Sequence, residues 1–323
     1  MPADPPLPEP HATGEGPATD ATDEDDSFVR QLGAISEPAA STPLPFAKLP
    51  PGEVVGARFH IVRLAGSGGM GAVYQAGDRA TGGTVAVKVM ARQHASFRER
   101  FQREADVLAD LAHPCVVRYV AHGMTDHGQP FLAMDWLEGE DLAGRLARAP
   151  LGEAEAFAVL RRACEGLAVA HAKGIVHRDI KPSNLFLVGG QAAATKVIDF
   201  GVARLEGGAA ALTRPGASLG TAGYMAPEQA MEAADVDARA DVFALGCVLY
   251  ECLTGQPAFG GRPALVLVKL IGETPRAPST LKPGLSPAVD AFVASLLAKN
   301  RDARPRDAAD VLARLASLAG DSK

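Results

Sequence analysis

The stretch His177-Arg178-Asp179-Ile180-Lys181-Pro182-Ser183-Asn184 sets an acid, a cation and an amide at positions i, i+2 and i+5. Asp179 is a candidate base, Lys181 a compact positive charge and Asn184 an oxygen donor, a set suited to moving a phosphoryl group from a nucleotide. The pattern H-R-D-x-K-x-x-N fixes five positions at about one in twenty each, so a chance match in a chain of this length is roughly a one-in-ten-thousand event. Downstream of Asn184 stands Asp199-Phe200-Gly201, following the strand-like run Lys196-Val197-Ile198. A carboxylate there can hold Mg²⁺ against nucleotide phosphates, and Gly201 frees the backbone beyond it. Asp-Phe-Gly by itself is a common turn; its place after the octet gives it weight.

Upstream, Gly66-Ser67-Gly68-Gly69-Met70-Gly71-Ala72-Val73-Tyr74 contains G-x-G-x-x-G. Dinucleotide-binding folds and plain hairpins use that spacing too, but a dinucleotide fingerprint leads into a helix, whereas Ala72 to Ala76 continues as a strand. The glycines therefore read as a hairpin lid whose bare backbone closes on phosphates. No Gly-Lys-Ser or Gly-Lys-Thr follows, which sets the Walker loop aside. Val85-Ala86-Val87-Lys88 puts a lysine on a strand soon after the lid, within reach of phosphate oxygens. Glu104 lies sixteen residues on, in a helical pattern, where an ion pair could hold the Lys88 ammonium.

With these motifs in order, the chain resembles a eukaryotic-type (Hanks-type) serine/threonine protein kinase over about residues 55 to 319. The resemblance implies that Asp179 orients the acceptor hydroxyl and takes its proton, and that Lys181 neutralises the transferring phosphoryl. It likewise gives Asn184 and Asp199 the magnesium, with Mn²⁺ as an alternative, and gives Lys88 with Glu104 the α- and β-phosphates of ATP. Met134 would guard the back of the adenine pocket. Asp135, Trp136 and Leu137 would form the hinge, and Val73, Ala86 and Phe186 would sandwich the base. Lys181 and the run Gly220 to Tyr224 before Ala226-Pro227-Glu228 resemble the serine/threonine branch, so proteins with Ser or Thr acceptors are the expected partners. In the family pattern Thr221 bonds Asp179, Glu228 pairs with Arg304, and Asp241 anchors the catalytic loop. The lid Gly-Gly-Met-Gly and the run Asp241 to Glu251 resemble bacterial members.

Thr213, Ser218 and Thr221 lie between Asp199 and Glu228, and Arg178 precedes the candidate base. A phosphate on Thr213, or second on Ser218, could order that segment through charge-assisted hydrogen bonds, which makes autophosphorylation an expected switch. One departure stands out: Ala65 occupies the place where the family has a bulky aliphatic residue over adenine. Losing that contact removes about 1–2 kcal/mol of apolar burial, which predicts weaker ATP affinity.

The elements that must position these groups are legible in outline. Phe59 to Leu64, Ala72 to Ala76 and Thr84 to Met90 read as strands of an antiparallel meander. A helix follows from Ser96 to about Leu111, with Phe101, Ala105, Leu108 and Leu111 on one face, and then strands from Val116 to Ala121 and Pro130 to Asp135. Glu153 to Ala172, Ala240 to Thr254 and Ala288 to Ala298 show helical periodicity. The expected class is α+β, a protein-kinase-like bilobal fold with a small antiparallel β lobe carrying one regulatory helix and a larger, mainly helical lobe. Its domain is expected over 53–319, with the first lobe to about 135, a hinge at 135–139, the second lobe over 140–319, and a short tail at 320–323. Eleven of the 24 prolines fall in residues 1–52, a composition that predicts a disordered acidic tail. Within it Phe28, Leu32 and Ile35 recur at i, i+4, i+7, as a short docking helix would.

Composition excludes several classes. Of 323 residues 47% are apolar, enough for a substantial core. The net charge of −6 comes from nine acids against Arg30 and Lys48 in residues 1–50; the rest holds 30 basic and 29 acidic residues, so no basic field argues for nucleic acid. Cys115, Cys164, Cys247 and Cys252 have no paired spacing, which fits reduced thiols in a cytoplasmic protein. The apolar stretch Val242 to Leu253 is too short for a membrane span. His113, Cys115, His122 and His127 lie near one another without a zinc spacing. A nucleotide-binding scaffold or a small-molecule kinase are rival readings, set back by intact catalytic positions and an intact Ala-Pro-Glu. A transient homodimer is compatible with the sequence.

Overall fold

Residues 49–68, 71–91, 95–200, 222–231, 233 and 235–320 are described in the structure, a computed structural model, and all fall in one compact unit, Thr42–Lys323. Six strands come first: β1 (Val54–Val55), β2 (Phe59–Gly68), β3 (Gly71–Asp78), β4 (Thr84–Met90), β5 (Tyr119–Met124) and β6 (Pro130–Asp135). They pair antiparallel in the order β1-β2-β3-β4-β6-β5. Successive side chains of a strand face opposite ways. In β4, Val85, Val87 and Val89 join Phe59, Ile61, Tyr74 and Phe131 in one core, while Ala86 and Met90 pack with Leu132 and Met134 in another. The same period stands Lys88 between Ala86 and Met90, on the face that α1 (Ala95–Ala109) covers with Phe97, Phe101 and Ala105.

The lid is the hairpin between β2 and β3. Gly71 has φ +143°, and a Cβ there would lie 2.0 Å from the Val89 carbonyl oxygen, so only glycine lets the hairpin cross β4 this closely. Ala65 lies at a register shift between Leu64 and Gly66, a bulge in the β2–β3 ladder.

The helical lobe contains α2 (Leu142–Leu146), α3 (Glu153–Ala172), α4 (Pro227–Ala230), α5 (Ala238–Thr254), α6 (Pro263–Gly272), α7 (Pro278–Leu281), α8 (Pro287–Leu296) and α9 (Ala308–Gly320). A three-stranded sheet, β7 (Gly139–Asp141), β8 (Leu185–Val188) and β9 (Thr195–Val197), lies in the order β7-β8-β9. In α3, Ala156, Val159, Leu160, Ala163 and Leu167 form a buried stripe at helical spacing. α5 is buried almost all round, as befits the central helix of the lobe, and Asp237 caps it by accepting the Arg239 N–H. No helix among the described residues is long and apolar enough to cross a membrane.

One strand begins later than the apolar pattern suggests. β5 starts at Tyr119 because Val116 is captured by the other lobe, in an isolated parallel bridge with Val197. The Val117 N–H donates to the Val197 carbonyl at 3.0 Å, and the Val197 N–H to that of Cys115 at 2.8 Å. The segment 115–117 thus joins the sheet lobe to β9. Phe28, Leu32 and Ile35 lie outside the described residues.

Candidate active site

Asp241, in the first turn of α5, is wholly buried and accepts the N–H groups of His177 at 2.7 Å and Arg178 at 2.8 Å. His171 Nε2 lies 3.0 Å from the same carboxylate, and His171 Nδ1 accepts the Ala308 N–H at 3.2 Å. That acceptor role places the ring proton on Nε2, so His171 donates to Asp241. Burial alone would raise the Asp241 carboxyl, but the His171 bond and the backbone donors outweigh it and hold the carboxyl below the usual range. The backbone of the octet is thereby pinned from beneath.

His177 carries the restraint upward. Its Nε2–H donates to the Ile198 carbonyl at 3.0 Å and its Nδ1 accepts the Asp179 N–H at 3.2 Å. The ring packs on Phe200, centroids 4.6 Å apart. Arg178 and Asp199 both have left-handed backbones, φ +64° and +59°. Such conformations cost of order 1–3 kcal/mol each for a residue with a Cβ and persist where neighbours over-determine them.

These restraints bring Asp179, Lys181 and Asn184 together. Lys181 Nζ lies 3.0 Å from Asp179 Oδ2, while Asn184 Nδ2 donates to the Asp179 carbonyl at 2.7 Å and to Oδ2 at 3.2 Å. With its amide nitrogen committed twice, Asn184 offers its amide oxygen, the atom a hard cation takes. The Asn184 carbonyl accepts the Ile198 N–H at 2.9 Å, which seats Asp199 beside the octet. Across the cleft, Lys88 is bonded to Asp199 Oδ1. Burial would raise the Asp199 carboxyl; Lys88 reverses this and holds it low. The Asp199 side chain is 32% exposed, so a ligand can reach it. Asn184 and Asp199 thus form an oxygen donor pair that fits Mg²⁺.

The expected Lys88–Glu104 ion pair does not form among the described residues. The ammonium meets instead the carboxylate of Asp199, whose backbone is left-handed, and Glu104 is half-buried on α1. Val73, Ala86 and Met134 share the cleft face of the sheet, with Ala86 directly opposite Met134. Arg118 grips the Asp135 carboxylate with two bonds, at 2.6 and 3.1 Å, and Arg63 lies over Trp136. Leu137 is half-buried just beyond β6, and Phe186 is half-buried on β8. Gly66, Ser67 and Gly68 end β2 and are exposed. Gly69, Met70, Thr213, Ser218 and Thr221 lie outside the described residues. Leu108, Leu111, Val116, Met134 and Phe200 help line a cavity of about 30 Å³ behind Asp199.

Glu228 and Arg304 meet in a buried bidentate pair at 2.7 and 2.9 Å. Gln229 Nε2 donates to the Arg178 carbonyl at 3.1 Å, tying α4 to the octet. The sequence does not single out Gln229, nor His171. The signal for His171 is its place four residues after Leu167 on the buried stripe of α3, where an unpartnered histidine would be costly. The three histidines considered for a metal have separate partners: His113 accepts the Cys115 N–H, His122 bonds Tyr119, and His127 lies 3.6 Å from Glu53. Among the described residues no group of three His, Cys, Asp or Glu is arranged to hold a metal.

The sequence matches the protein kinase domain family over residues 59–314. It is 38% identical over 266 residues to the serine/threonine-protein kinase PknB of Mycobacterium leprae, a match covering 80% of this chain and 42% of the relative. It is 41% identical over 259 residues to the serine/threonine-protein kinase PknH of Mycobacterium bovis, covering 78% and 42%. The match therefore spans 42% of the length of each of these relatives. Among solved structures, the PknI kinase domain of Mycobacterium tuberculosis superposes with a TM-score of 0.68 at 28% identity, covering 84% of this chain and 100% of that one.

Proposed function

This chain belongs to the protein kinase family, and we propose that it is an ATP-dependent serine/threonine protein kinase of bacterial signalling, its domain running over residues 53–319. The observation that carries the reading is the convergence of Asp179, Lys181 and Asn184 with Asp199 and Lys88 around one cleft. Asp179 orients the acceptor hydroxyl and receives its proton. Lys181 balances charge on the transferring phosphoryl. Asn184 and Asp199 would be the oxygen donors for Mg²⁺ or Mn²⁺, which when bound would neutralise charge on the nucleotide phosphates. Lys88 addresses the α- and β-phosphates, and Glu104 would become its partner only after Lys88 leaves Asp199. The backbone of Gly66 to Gly71 covers them, and Val73, Ala86 and Phe186 enclose the base between Met134 and the hinge at Asp135 and Leu137.

Acceptors are serine and threonine hydroxyls of proteins, a class supported by the names of the relatives and by Lys181. Thr213, then Ser218, are the proposed autophosphorylation sites, with Thr221 shaping the acceptor pocket and Arg178 answering the phosphate. Exchange of phosphate between copies would involve a transient homodimer. Four buried free thiols favour a reducing cytoplasm. Incubation with Mg²⁺ and γ-labelled ATP, followed by phosphoamino-acid analysis, tests the reading: phosphothreonine and phosphoserine are expected. Label found only on tyrosine or only on small molecules would sink it.

A further inference from the structure

Lys299, just beyond α8, is a half-buried ammonium outside the reaction centre. Its Nζ donates to the carbonyls of Leu270 at 2.7 Å and Lys269 at 3.1 Å, near the C-terminus of α6. A lysine there satisfies carbonyls that the helix leaves without donors and complements the negative end of its dipole. The same nitrogen stands 4.0 Å from the Phe259 ring centroid and 5.5 Å from that of Phe243, and these rings stack at 5.8 Å. A cation on an aromatic face is stabilised further when desolvated. Arg304 also lies over Phe243, at 4.9 Å, while it holds Glu228 and donates to the Lys299 carbonyl at 3.1 Å.

Phe259 leads to the acceptor side of the cleft. A Cβ on Gly223 would lie 3.0 Å from the Phe259 carbonyl oxygen. α6 packs against both the segment Ala222–Tyr224 and α4, and Gln229 on α4 bonds the octet at Arg178. Contiguous contacts thus run from Lys299 through Phe259 and α6 to residues 222–230 and the catalytic loop. Resting on the kinase reading above, we propose that Lys299 is a positioning residue whose protonated amine fixes the end of α6 and the Phe259 ring, and through them the segment 222–230 against which an acceptor protein docks.

The charge state gives this clamp a pH dependence. Burial lowers the ammonium to about 8; Arg304 acts in the same direction, and Cys247 and Glu273 oppose it. Cys247 is itself buried and pushed far up, so it stands as a neutral thiol between pH 7 and 9 and its opposition does not act there. Glu228 is engaged by Arg304, and Glu273 lies 3.8 Å from Lys269. An ordinary lysine titrates near ~10.4. The folded value is the lower one, so the burial cost is fully present below pH 8 and is relieved as pH rises from there toward the unfolded value. A neutral amine keeps two N–H donors but loses the charge that faces the end of α6 and the Phe259 ring, so deprotonation loosens the grip on α6 without this group lowering the stability of the fold.

The test compares wild type, Lys299→Arg and Lys299→Met as full chains at pH 7 and pH 9, measuring KM for a protein acceptor, KM for ATP and Tm. Amide exchange over 222–230 and 263–272, compared between variants at one pH, supplies a readout independent of activity. In the wild type the acceptor KM should rise about threefold or more between the two pH values, with ATP KM flat and no fall in Tm due to this group. Lys299→Arg, charged at both values, should abolish the rise. Lys299→Met should show the high acceptor KM at both and exchange faster in the two segments. The inference is overturned if Lys299→Arg tracks the wild type, if Lys299→Met keeps wild-type KM and protection, or if it loses ATP and acceptor affinity alike. Should the wild type transfer no phosphate to protein, the kinase reading fails, and exchange still judges the clamp.

Discussion

Asp241 holds the octet with two hydrogen bonds and is itself held by a third from His171, all inside the helical lobe, whereas Lys88, across the cleft, is set by strand alternation among apolar neighbours and meets Asp199 in an ion pair. The groups proposed to do chemistry thus hang from a buried polar network in which each donor and acceptor has a direction. The groups proposed to hold nucleotide ride on a packed sheet that restrains position but not the partner of a flexible ammonium. Buried networks of this kind make an arrangement unique, while a long lysine chain can change carboxylates at little cost. The helical side of the site is accordingly preset, and the sheet side is free to answer a ligand.

The comparison can be broken hardest at Asp241. Asp241→Asn keeps the shape but turns one acceptor into an N–H facing other donors. It should lower stability by about 3–5 kcal/mol in denaturant titration and collapse phosphate transfer. Asp241 and Asp199 both have lowered folded values, so their contributions are present above the ordinary aspartate value of about 3.9 and vanish as pH falls through the folded values. Asp241→Asn should flatten part of that acid limb. A variant as stable as the wild type would show that the network does not hold the loop.

Next in size, Lys88→Met should lose in the same titration only what its pair with Asp199 contributes, less than Asp241→Asn, while cutting phosphate transfer about a hundredfold or more. The Asp199 carboxyl should rise once the ammonium is gone, which carboxylate NMR titration would follow. A large stability loss would place Lys88 with the preset half instead. The smallest effect is expected at the bulge: Ala65→Leu restores an apolar contact over the base and should tighten ATP binding by about 1–2 kcal/mol in calorimetry. Unchanged affinity would show that this strand does not touch the nucleotide.

Legibility in the sequence followed the same division. Strand period two puts Ala86 and Lys88 on one face, and helical period marks α3 and α5 to within a few residues, because these signals are local. The short spacings of the octet likewise suffice to gather Asp179, Lys181 and Asn184. What could not be read were contacts between distant segments. His171 reaches Ala308, Lys299 reaches Leu270, and Val116 is drawn from β5 to Val197, and no periodicity announces such meetings. The Lys88–Asp199 pair belongs here too, since its geometry depends on a left-handed backbone at Asp199 that residue type alone does not dictate.

The central claim, that the preset loop carries the chemistry, is tested most directly at Asp179. Wild type and Asp179→Asn should be compared in Mg-ATP for nucleotide affinity and for phosphate transferred to a generic basic protein. Nucleotide affinity should be equal, and transfer should fall by about 10²–10⁴-fold with loss of the base. Equal transfer by the two proteins would contradict the account.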